Sequence, residues 1–224
     1  SGVFRHYIRS RDESDVLATY IEAISATRAG IFHVKDDYGE HAKDLLKNRL
    51  AQKMGKDNID VYGVGDEASI RIETSNFVGE VPDNERAVAV IIGYGDMIRN
   101  TLDSLKNSPT FTGNVLVVST FTEEKWRPKH EPGDESFQRR IRYVGPHTSE
   151  VEDDSNLRGV VFQFSFLTLD RTLKCKDERG IDDFWNCFTT TTPTSTGQDW
   201  AEVEYTKDGD SHIALRLLEV KDDE

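Results

Sequence analysis

Two tyrosines in this chain follow apolar runs in matching ways. Tyr38 lies in Lys35-Asp36-Asp37-Tyr38-Gly39-Glu40, just after Ile31-Phe32-His33-Val34. Tyr94 lies in Gly93-Tyr94-Gly95-Asp96, just after Ala87-Val88-Ala89-Val90-Ile91-Ile92. A phenol brings a flat apolar face and a hydroxyl that donates or accepts a hydrogen bond, which is the chemistry of holding a small polar molecule. Two readings stand for these rings: they face a ligand, or they cap the core at the edge of a sheet. Asp36 and Asp37 likewise have two uses. They can bind a cation or a ligand amine, or they can cap and charge the start of the helix that follows, and the second use is the commoner one.

Other constellations are weaker. Asp36, Asp37, Asp96 and Lys125 loosely mimic the acids and lysine of a phosphoryl-transfer receiver, but Tyr38-Gly39 and the glycines around Tyr94 do not suit that site. The chain has no Gly-rich phosphate loop, no nucleophile elbow and no Cys–His pairing, so no catalytic role is expected. The histidines show no metal-ligand spacing, and neither a metal nor a cofactor is expected. Cys175 and Cys187 are twelve positions apart and are either a disulfide or two thiols. A net charge of -13 argues against phosphate-backbone binding, which needs a basic stripe. The apolar runs are far shorter than the roughly 20 residues that span a bilayer, so no membrane insertion is expected.

The elements that must position these residues read clearly over the first half. Asp12-Glu13-Ser14-Asp15 opens a helix with acids suited to its dipole, and Val16, Leu17, Tyr20, Ile21 and Ile24 follow on one face. Strand Ile31–Val34 leads to a helix carrying Ala42, Leu45, Leu46, Leu50 and Met54, then to strand Ile59–Val64. Residues 66 to 85 are ambiguous, and Ser69–Ile72 fits strand or helix. Strand Ala87–Ile92, helix Met97–Leu105 and the buried strand Val115–Val118 complete a βα alternation at parallel-sheet spacing. The expected fold is a three-layer α/β domain: a mainly parallel sheet flanked by helices, with a C-terminal hairpin around Lys207-Asp208-Gly209-Asp210. The whole chain, 1–224, is expected to form one domain. Residues 121–158 make a charged surface excursion with one strand near Arg140–Val144, 189–200 a Thr-rich linker, and 201–222 the hairpin.

Phe4-Arg5 with the acid-rich helix start, Lys35-Asp36-Asp37-Tyr38-Gly39, Ile92-Gly93-Tyr94-Gly95-Asp96 and the closing hairpin resemble the second lobe of type I periplasmic solute-binding proteins, the branched-chain amino acid-binding group above all. The resemblance implies a non-catalytic lobe of an ABC-importer-type binding protein or receptor, located in the periplasm or otherwise outside the cytoplasm. It implies a small polar, amino acid-like ligand contacted by Tyr38 and Tyr94, with Asp37, Gly95, Thr120 and Glu123 also at the site. Where amino acid-binding members carry an acid after the strand matching Val115–Val118, this chain has Ser119 and Thr120, and Glu123 is the nearest acid. No first lobe precedes Phe4 here, so the lobe belongs to a longer parent or serves alone. In the second case it is a sensor or protein-interaction module, for example a homodimer, with Trp126, Phe162, Phe164 and Phe166 available as surface. Strand alternation assigns most of these aromatics to core instead.

Overall fold

The structure is a computed structural model, and it describes residues 8–81, 86–121, 135–146, 169–170, 172–175, 177, 187, 203–205, 211–213 and 215–220. Helix α1 (Ser10–Ala23) precedes strand β1 (Arg28–Val34), followed by α2 (Asp37–Met54), β2 (Ile59–Val64), α3 (Glu67–Glu80), β3 (Ala87–Ile92), α4 (Asp96–Lys106), β4 (Asn114–Val117) and β5 (Ile141–Pro146). Strands β6 (Val203–Tyr205), β7 (Ser211–Ile213) and β8 (Leu215–Glu219) close the chain. Six strands form one sheet in the order β2-β1-β3-β4-β5-β8. The pairs β1/β2, β1/β3, β3/β4 and β4/β5 are all parallel. The mainly parallel α/β fold expected from the sequence is the one observed.

The chain divides into two compact units, Ser10–Val144 with Leu217–Glu224, and Ser1–Arg9 with Gly145–Arg216. The βα alternation read from the sequence lies in the first of these units. The hairpin is present, with Val203 opposite Ile213 and Tyr205 opposite Ser211. Its return strand is shorter than the sequence suggests, because Leu215–Glu219 leaves it to join the large sheet beside β5. The expected strands at Phe4–Ile8 and Gly159–Phe166, the helix near Ile181–Phe188 and the Thr-rich linker fall wholly or mostly outside the described residues.

Alternation along β1 sorts its side chains onto two helical layers. Gly30 and Phe32 face α3 and α4, where Phe32 stacks on Tyr62 at 5.0 Å and meets Phe77 edge-on at 5.7 Å. Gly30 is required there: a Cβ would lie 2.6 Å from the Phe77 ring. Ile70 and Phe77 of α3 and Ile98, Leu102 and Leu105 of α4 complete this core against Ala89, Ile91, Val115 and Val117. Helices α1 and α2 pack on one another, burying Leu17, Ala18, Ile21, Ala42, Leu46 and Leu50. The ambiguous segment is the helix α3. Asp66 accepts from the Ser69 amide at 2.7 Å while the Ser69 hydroxyl accepts from the Asp66 amide at 3.1 Å, a capping box that fixes where the helix begins.

Candidate functional site

The sheet order sets where a ligand belongs. From β1 the chain goes outward to β2 on one side and then returns to β3 on the other, so the direction of winding reverses between β1 and β3. Crevices outside the carboxyl ends of such a strand pair are where open α/β sheets bind ligands. Both tyrosine segments emerge at this edge.

At the end of β1, Asp36 has extended backbone and caps α2. Its Oδ1 accepts from the Gly39 amide at 2.8 Å. Its Oδ2 accepts from the Tyr94 hydroxyl at 2.5 Å, a bond that crosses the switch point and joins residues 58 apart in sequence. The Gly39 amide, and next the Tyr94 hydroxyl, hold the Asp36 carboxyl below its usual range, while the same carboxylate raises the Tyr94 phenol. The Tyr94 ring is half exposed, at 50%. It stands on Gly95, whose φ of 55° and ψ of -130° suit glycine, and α4 starts there with no side chain capping it.

Tyr38 is half-buried in the first turn of α2, and its hydroxyl is shielded from solvent. A residue inside a helical turn lies back along the helix flank, whereas Tyr94 sits in the loop before one. Asp37 is exposed in the same turn. Thr120, after β4, donates its hydroxyl to the Gly93 carbonyl. Tyr94, Gly95 and Thr120 are thereby brought together at one edge. Glu123 lies outside the described residues. Among the described residues no cluster of acids, histidines or cysteines is placed to hold a metal ion.

Sequence reasoning missed two members of this edge. Asp36 is read there as a helix cap or a binder of a cation or ligand amine, yet it is the partner of Tyr94. Glu13 appeared as a dipole-suited acid in the first turn of α1, yet it is 3% exposed and its Oε1 accepts the Ser119 amide at 2.8 Å. One signal was available: Glu13, Leu17 and Ile21 are four apart, so Glu13 continues the buried stripe backwards by one turn. Burial raises its pKa against the lowering effect of the Ser119 bonds. A belt of hydrogen bonds thus runs along the edge, from α1 to the end of β4 through Glu13 and Ser119, to β3 through Thr120 and Gly93, and to β1 through Tyr94 and Asp36.

No protein-family model and no curated protein sequence matches this chain. Solved structures do. A putative branched-chain amino acid ABC transporter protein from Rhodospirillum rubrum superposes with a TM-score of 0.67 at 11% identity, over 97% of this chain and 65% of that one. The fold is that of the type I solute-binding proteins. An ABC transporter substrate-binding protein from Desulfitobacterium hafniense, in complex with Leu, matches at a TM-score of 0.65 and 12% identity, over 98% and 65%. The C-domain of LpoA from Haemophilus influenzae, a regulator of PBP1A, matches at a TM-score of 0.52 and 9% identity, over 94% and 67%. The chain therefore spans about two thirds of the length of each.

Proposed function

We propose that this chain is a non-catalytic recognition module whose edge at β1 and β3 binds a small polar solute, as part of an importer-type binding protein or receptor. The observation that carries the reading is the Tyr94–Asp36 pair at the switch point. It presents a preset, half-exposed aromatic face beside a hydrogen-bonding carboxylate, where this sheet order favours a ligand. An amino acid-like solute is the finer reading, and a neighbour in complex with Leu supports it. The site residues proposed are Tyr94, Asp36, Gly95 and Thr120, with Tyr38, Asp37 and Glu123 at its margin. A disulfide joins Cys175 and Cys187, whose Cα atoms are 5.7 Å apart, and this favours an oxidising, extracytoplasmic setting. Among the described residues no helix is long and apolar enough to cross a membrane.

Titration calorimetry against a panel of the common amino acids tests this. A member of the panel should bind wild type, and Tyr94→Ala should weaken it by about an order of magnitude, roughly 1.4 kcal/mol, without loss of fold. Heat from no member of the panel would speak against the amino acid reading. A second reading has its own support: the LpoA C-domain carries this fold as a regulator of another protein. In that case the chain is an interaction module, and it fails the solute panel while forming a defined complex with a protein partner or with itself.

A further inference from the structure

The charge of Glu13 is in the wrong place for a helix-start acid. Such acids normally stand in solvent near the dipole, but this carboxylate is turned inward and 3% exposed. Its Oε1 accepts the Ser119 amide at 2.8 Å, and the Ser119 hydroxyl also favours its charged form. Ser119 is itself buried at 5% exposure and is 106 residues away in sequence. Among the described residues no cation offsets the burial, and the charged group acting on Glu13 is Asp12 on its own helix, of the same sign. Helix α2, packed on α1, directs Arg49 to Asp15 and Lys53 to Glu22, and both pairs lie at solvent. Among the described residues the end of β4 brings Ser119 and Thr120, both neutral. A buried carboxylate without a cation favours its protonated form, because the charged form loses water it cannot replace.

We infer that Glu13 is a proton-operated clasp on the turn after β4. In the charged state the Ser119 hydroxyl donates to the carboxylate. When Glu13 gains a proton, its own O–H donates and the Ser119 hydroxyl becomes the acceptor, so the serine proton is freed to turn elsewhere. The next residue, Thr120, holds the Gly93 carbonyl, and Gly93 carries Tyr94. One proton on α1 thereby sets the turn that frames the tyrosine edge. If that edge binds solute as proposed above, affinity should change with pH at the Glu13 midpoint, but the clasp itself is defined in the chain without any ligand.

Glu13→Gln is the informative variant, since an amide copies the shape and hydrogen bonding of the protonated acid. In the full chain, the amide signals of Ser119, Thr120 and Gly93 should titrate together with a midpoint above the ordinary 4.5 of a glutamate, and this titration should vanish in Glu13→Gln. The melting temperature should agree in sign. Charging Glu13 costs stability as pH rises from 4.5 through the raised folded value. Glu13→Gln should therefore be more stable than wild type at neutral pH and lose that advantage below pH 4.5. A Ser119 midpoint at or below 4.5, a titration that persists in Glu13→Gln, or silent Thr120 and Gly93 signals would overturn the clasp. If Glu13→Gln does not fold, the wild-type titration of the three amides decides alone. Because no ligand is used, this result is independent of the solute panel.

Discussion

The Tyr94 hydroxyl gives its proton to Asp36 across the gap between β3 and β1, and Asp36 gives its other oxygen to the start of α2. One carboxylate thus serves two ends. It closes a helix turn that would otherwise leave an amide unpaired, and it fixes the direction in which the Tyr94 ring projects. The consequence for a ligand is concrete. The phenol proton is already used, so Tyr94 offers an arriving molecule a ring face and an oxygen lone pair.

Tyr94→Phe should remove one of the bonds that hold the Asp36 carboxyl low and leave the largest, from the Gly39 amide, together with that from the Tyr38 amide. The carboxyl should rise part of the way toward its ordinary value of 3.8, followed by carbon-detected NMR across an acid titration. The sign for stability follows: the contribution of Asp36 is present above the unfolded value and is lost as pH falls through the lowered folded one. Tyr94→Phe should therefore lose a little stability above pH 3.8, where the Asp36 contribution is present, and converge with wild type at the lowest pH. A full return of Asp36 to 3.8 would show that the phenol, not the cap, dominates.

The glycines at the edge should differ sharply. A Cβ on Gly39 would lie 2.0 Å from the Val34 carbonyl oxygen, which is backbone and cannot step aside. A Cβ on Gly93 would meet the end of the Met97 side chain at 2.5 Å, which can swing away. Gly39→Ala should cost about 1–3 kcal/mol in urea unfolding, and Gly93→Ala clearly less. Equal costs would mean that the start of α2 is not as tightly seated on β1 as it stands here.

Reduction should act locally. Cys175 and Cys187 are both buried and lie in the unit that contains Gly145–Arg216. Breaking a link that closes so short a loop should destabilise that unit by about 3 kcal/mol. Thiol titration should find no free cysteine in the native chain and two after reduction in denaturant. Reactive thiols in the untreated native protein would contradict the pairing.

The sheet and its tyrosine edge were legible because strand and helix periods are written plainly from Ile31 to Val118, and parallel strands share an edge by geometry alone. Helix α3 was not legible, since Ile70 and Phe77 are buried but Ile72 is 60% exposed, which blurs the stripe. Its capping box at Asp66 and Ser69 was the missed sign. Glu13 was hidden by its type: acids in a first turn are ordinarily solvated, and only tertiary contact with Ser119 turns this one inward.

The central claim is that solute is held at the ends of β1 and β3. Its most direct test is amide chemical-shift mapping of the full chain against the amino acid that gives the strongest calorimetric signal. The largest changes are expected at Asp36–Gly39, Gly93–Asp96 and Thr120, and they should be lost in Tyr94→Ala. Changes confined to residues away from these strand ends, with the Gly93–Asp96 amides unmoved, would contradict it.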